Sequence, residues 1–212
     1  IAGTVTPDVP YLSFLQRSAA AGGARTLCVA FGVSGFDFGG VIARSEVAVD
    51  VLFLFDQQHS SYMRDDAALR AALQHLTPQY ERVGAIGSSQ SAFGALHYME
   101  CVDAVLAISP LDSFVEHRRH LGSDSAWLPQ PSSQSEERAP CEVTIHVAEK
   151  NFLDLEYVRF CEEAKRRDPE GKWVLRVLKH RGAAHPAYPG DGWVHRWLKE
   201  LAAPRKQPVD VA

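Results

Sequence analysis

Six runs rich in apolar and β-branched residues recur along the chain: "TLCVAFG" (26–32), "VDVLFLF" (49–55), "RVGAIG" (82–87), "DAVLAIS" (103–109), "CEVTIHVA" (141–148) and "KWVLRVLK" (172–179). Most are continuously hydrophobic rather than strictly alternating, the pattern of strands buried on both faces of a parallel sheet. Parallel neighbours need long crossovers, and helical patterns lie between the runs. "DDAALRAALQHL" places Leu69, Leu73 and Leu76 on one face behind an acidic first turn, and "SAFGALHYME" follows the third run. "DLEYVRFCEEAKRR" (154–167) carries Leu155, Val158 and either Phe160 or Cys161 on one side, while "GWVHRWLKELA" (192–202) spaces Trp193, Trp197 and Leu201 for burial. The expected fold is α/β: a mostly parallel sheet of about six or more strands, helices on both faces, three layers in all, joined by right-handed crossovers.

At 212 residues the chain suits one domain, 1–212. Within it, residues 110–140 break the rhythm, ending in the polar stretch "GSDSAWLPQPSSQSEERAP". A connection of that length is read as a lid or insertion loop over 113–140. With 23% charged residues and a net charge of −4, the chain has no electrostatic signature of a nucleic-acid surface or polybasic membrane anchor. No apolar run approaches the roughly 18 residues of a spanning helix. Cys28, Cys101, Cys141 and Cys161 are widely separated and form no CxxC pair, so buried thiols are expected, and with them a reducing, cytoplasmic location. The first residue is Ile with no signal-like segment after it, as in a trimmed chain or a domain cut from a longer one.

The stretch "AIGSSQSAFGAL" (85–96) joins the third run to a helix. A G-x-S-x-G nucleophile elbow puts a serine on a strained strand-to-helix turn, with small residues two before and two after. Framed on Ser89, Gly87 sits at minus two and Ser91 replaces the second glycine. Framing on Ser88 brings Ile86 to minus two, and framing on Ser91 brings Phe93 to plus two, both too bulky. The competing reading is that the serines cap the following helix.

An acyl-transfer serine needs a base, an acid and oxyanion donors. In the order serine, acid, histidine, the base falls in "HRGAAHPAYPG", where His185 is the first choice and His180 the fallback. The acid belongs after the penultimate strand, in "AEKNFLDLE". A short loop would put it at Asn151, which carries no charge; Asp154 is preferred, with Glu149 and Asp112 as alternatives, although Asp154 is also a good helix N-cap. The oxyanion donors are read as the N–H groups of Gln90 and of Val33, the latter in "AFGVSGFDFGG", with Gly32 and Ser34 bordering the pocket. That glycine loop lacks the G-x-G-x-x-G spacing and no helical pattern follows it directly. Neither a metal nor a cofactor is expected: His117 and His120 in "HRRH" are separated by arginines and read as a solvated face.

With these features the chain resembles the α/β-hydrolase superfamily: the strand–"GSSQS"–helix elbow, the glycine loop after an early strand, and the late histidine in "GAAHP", over most of residues 25–202. More narrowly, "VDVLFLFDQQHSSYM", "GAIGSSQSAFGAL", "ISP" and "EKNFLDLEYV" resemble small bacterial hydrolase-like proteins associated with polysaccharide synthesis. In that group a stretch ending Ser-Trp-Tyr follows the second run; here it spans Asp56 to Tyr62, with Ser61 in place of Trp. The resemblance implies the fold and a serine nucleophile.

Two functions follow as expectations. In the first, a serine hydrolase or acyltransferase acts on a small-molecule or carrier-bound acyl group, with Trp127 either contacting that group or anchoring the lid. In the second, an inactive hydrolase-like domain binds a partner protein or carbohydrate through its polar loops. A nucleotide-binding domain is disfavoured, because "GSSQSAFG" lacks the lysine of a P-loop.

Overall fold

The computed structural model describes residues 11–18, 25–32, 38–56, 62, 66–110, 140–166, 168, 171, 173–182 and 190–204. Seven strands form one sheet: β1 (Leu12–Gln16), β2 (Thr26–Gly32), β3 (Asp50–Phe55), β4 (Arg82–Ser88), β5 (Ala104–Ile108), β6 (Cys141–Ala148) and β7 (Trp173–His180). Their order across the sheet is β1-β3-β2-β4-β5-β6-β7. Six are parallel and are the six apolar runs. β1 alone is antiparallel, pairing Leu12 with Phe55 and Gln16 with Val51.

Helices cover both faces. On one side α2 (Asp66–Leu76), α3 (Gln90–His97) and α4 (Phe152–Arg166) bury Leu69, Leu73, Phe93, Tyr157 and Val158 against β-strand residues such as Val29, Ala85, Val105 and Ile145. On the other, α1 (Gly39–Ala43) and α5 (Asp191–Ala202) cover Cys28, Ile86, Leu106 and Ile108 with Ile42, Val194, Trp197, Leu198 and Leu201. The three layers are those expected. Two details differ. A five-residue helix, α1, does follow the glycine loop, and Trp193 is only half-buried while Val194 and Leu198 fill the core. All four cysteines are buried and none is in a disulfide; burial alone pushes the Cys28 thiol up to about 12, which keeps it protonated and unreactive. No described helix is long and apolar enough to cross a membrane.

The backbone ladder does not stop at the strand ends. At the carboxyl edge, Asp56 N–H donates to the Gly32 carbonyl (3.2 Å), Ser89 N–H to Ile108 (2.8 Å), Ser109 N–H to His146 (2.7 Å) and Glu149 N–H to His180 (2.8 Å). Each links the first residue or so beyond one strand to its neighbour.

Candidate active site

The chain runs outward from β2 to β3, then crosses back over β2 to form β4 on its other side. Such a reversal opens a crevice at the carboxyl ends of the two diverging strands, the usual ligand site of an open α/β sheet. Here those ends are Gly32 and Ser88: Ala30 lies beside Ile86 in the parallel register, so two residues on, Gly32 comes level with Ser88.

Ser89 makes the turn from β4 into α3 with φ 56° and ψ −126°, a conformation that costs a non-glycine residue about 1–3 kcal/mol. Three features hold it there. Its N–H stays on the β5 ladder through Ile108. Buried Ser91 folds back, its Oγ accepting from Ser88 N–H (2.9 Å) and donating to the Ser88 carbonyl (2.8 Å). Gly87 leaves no room for a Cβ, which would overlap the Ser91 carbonyl and Ala92 nitrogen. The Ser89 side chain does not cap α3, so the capping reading fails at this residue. The hydroxyl that closes the turn is that of Ser91, not Ser88, whose Oγ is buried without a hydrogen-bond partner. Gln90 opens α3, where the first N–H groups of a helix have no intrahelical acceptor and attract negative charge.

Tyr62 packs between the Gly32 end of β2 and α3. It is fully buried, with φ 63°. Its hydroxyl donates towards the carbonyls of Gly32 and of Leu54 (2.9 Å to the latter). The Asp56 carboxylate accepts its N–H (3.0 Å), and Tyr98 Oη donates to its carbonyl (2.9 Å). Burial first, then the neighbouring Asp56 charge, pushes the Tyr62 phenol upward, so it stays a hydrogen-bond donor. Neither Asp56 nor Tyr62 was identified as a buried anchor from sequence, although both lie in the Asp56–Tyr62 stretch.

Several solved structures share this architecture. Est1E from Butyrivibrio proteoclasticus superposes with a TM-score of 0.58 at 13% identity, over 94% of this chain and 96% of its own. A thermophilic esterase, Est2 from Thermogutta terrifontis, gives 0.58 at 15% identity over 95% and 89%. The dienelactone hydrolase-like promiscuous phosphotriesterase P91 from metagenomic libraries gives 0.56 at 18% identity over 90% and 92%. The chain has the α/β-hydrolase fold. No family model and no curated protein matches it in sequence.

In the hydrolase fold the remaining site residues would come from the loops after β2, β6 and β7. Of those expected, Val33, Ser34, His185, Asp112, Trp127 and the 113–139 part of the lid lie outside the described residues, as does the side chain of Asp154. The backbone of residue 154 is described and corrects one reading. α4 begins at Phe152, and Leu155 N–H bonds back to the Asn151 carbonyl (3.1 Å). Asn151 therefore holds the N-cap position, and Asp154 sits inside the first turn rather than at the cap. Glu149 is exposed at the end of β6.

The fallback base, His180, ends β7 and is already engaged. Its Nε2 lies 2.6 Å from Nδ1 of His146, with the rings 10° from parallel and the edge of Trp193 against both. One nitrogen of that contact must carry the hydrogen and the other accept it. His146 is fully buried on β6, its Nε2 has no partner, and burial, then His180, then Arg176 lower its pKa to about 4. Nothing in "CEVTIHVA" marks this histidine beyond its place in the strand alternation; its partner is 34 residues away. Among the described residues no cluster of three or more potential ligands could hold a metal ion.

Proposed function

We propose that the protein is a serine hydrolase or acyltransferase acting on an ester, thioester or amide through an acyl-enzyme. The observation that carries this reading is the strained Ser89 backbone, held at the switch point by Gly87 and Ser91. A helix cap needs no such conformation, whereas a nucleophile elbow does. The esterases among the structural neighbours support an ester as the substrate class.

In this mechanism Ser89 Oγ attacks the acyl carbon and its proton passes to His185, oriented by Asp154, with Glu149 and Asp112 the other candidate acids. The carbonyl electron pair moves onto oxygen, held by the N–H groups of Gln90 and Val33; losing one such donor costs about 3–4 kcal/mol of transition-state stabilisation. Collapse breaks the bond to the alcohol, thiol or amine, which takes the proton from His185. Water or a second hydroxyl then attacks the acyl-enzyme with His185 again as base. Gly32, Ser34 and Trp127 would border the acyl pocket.

A binding domain without catalysis is the second reading, and the uncharged Asn151 at the head of α4 favours it. Intact mass after incubation with a fluorophosphonate separates the two. The expected result is one adduct on the wild type, absent in Ser89→Ala and formed more slowly in His185→Ala. A folded wild-type protein that takes up no label overturns the hydrolase reading and leaves the binding domain.

A further inference from the structure

Resting on that hydrolase reading, we propose that Tyr62 is a positioning residue for the oxyanion hole. Its hydroxyl and the Asp56 N–H fix the peptide unit joining residues 32 and 33, and its ring braces the helix that begins with Gln90.

A trans peptide is planar, with C=O and N–H on opposite edges. In such a unit, donors that aim the Gly32 carbonyl would also aim the N–H that follows it in the chain. Two donors hold that oxygen: Tyr62 Oη and Asp56 N–H. The same hydroxyl reaches the Leu54 carbonyl on β3, tying the Gly32 unit to the strand next door.

The ring of Tyr62 supports the opposite half. A Cβ at Gly94 of α3 would come within 2.5 Å of Tyr62 Cδ2, so the ring packs against the helix where a larger residue would collide with it. Phe31 packs edge-on against the ring at 4.9 Å between centroids, and Tyr11 packs on it at 5.2 Å. Tyr62 thus spans the carboxyl end of β2 and the body of α3, the two elements that supply the proposed donors. Its own placement is set by the Asp56 carboxylate on its N–H and Tyr98 on its carbonyl. Preorganisation of this kind is where oxyanion stabilisation originates, since donors that must reorient during reaction lose much of their effect.

The test compares Tyr62→Phe with Tyr80→Phe. Tyr80→Phe also removes a tyrosine hydroxyl, one that donates to Asp50 and accepts from Arg17 at the amino end of the sheet, and serves as the structural control. The readouts are kinact and KI for fluorophosphonate labelling, and kcat and KM for 4-nitrophenyl acetate. Tyr62→Phe is expected to lower kinact and kcat by tenfold or more with KI and KM within about twofold, while Tyr80→Phe keeps all four. Unchanged kinact in folded Tyr62→Phe overturns the proposal, as does an equal loss in Tyr80→Phe. Should Tyr62→Phe not fold, Tyr98→Phe loosens Tyr62 from its other side: a severalfold fall in kinact at constant KI supports the role, and no change overturns it. A wild type that takes no label fails the hydrolase reading itself, a result distinct from a labelled wild type with an unimpaired variant.

Discussion

At Gly87 the constraint is steric and local. A methyl group there would meet the backbone of Ser91 and Ala92 rather than the flexible end of a side chain, so relief requires moving the start of α3. Gly87→Ala should therefore cost about 3 kcal/mol, the upper part of the range for forcing an extra carbon into a packed site. In a chain of this size that is a fall in Tm of roughly 6–12 °C, measurable by thermal unfolding. The variant should also lose fluorophosphonate labelling, because the elbow moves with the helix. This residue was legible from sequence, since a strand running into Gly-Ser-Ser before a helix leaves few conformations open. The role of Ser91 was not, because a serine in the glycine position reads as a tolerated departure until its hydroxyl is seen closing the turn on Ser88.

Among the elements, β6, β7 and the first turn of α5 meet at the His146–His180–Trp193 cluster. An unfolded histidine titrates near 6.5, and native His146 is held to about 4, chiefly by burial. A depressed pKa means that the neutral form is favoured in the fold. Its contribution is thus complete above about pH 6.5 and is lost as pH falls through 6.5 towards 4. Over that window wild-type stability should fall by on the order of 2 kcal/mol more than that of His146→Gln, compared by urea unfolding at pH 7 and pH 4.5. Two parallel slopes would show that His146 does not titrate as described.

The parallel strands and α2 to α5 were readable because continuous apolar runs and 3.6-residue spacing act over a few residues. β1 was not: "LSFLQ" is short, pairs antiparallel at an edge, and buries a serine, Ser13. α1 has only five residues and no side-chain cap. The histidine pair escaped for a different reason, as its partners become neighbours only through the register of two strands.

Over the whole molecule, the strand order determines where chemistry can occur. Reversal beside β2 brings the Gly32 and Ser89 ends together, although 57 positions separate them in the sequence numbering. Local patterns suggested each half; their adjacency is a property of topology, which the order of runs implies only through the hydrolase resemblance. Binding sites at strand ends ordinarily sit where a sheet frays. In this sheet, Asp56, Ser89, Ser109 and Glu149 carry the ladder one step beyond the strands. These four amides should therefore exchange with deuterium at rates close to those of mid-strand amides such as Val105, not at the rates of exposed turns. The N–H of Ser89, the proposed nucleophile, would then open only when the central sheet opens. A catalytic serine would owe its fixed aim to the most slowly breathing part of the protein, and substitutions that loosen β5 would reach it without touching the pocket.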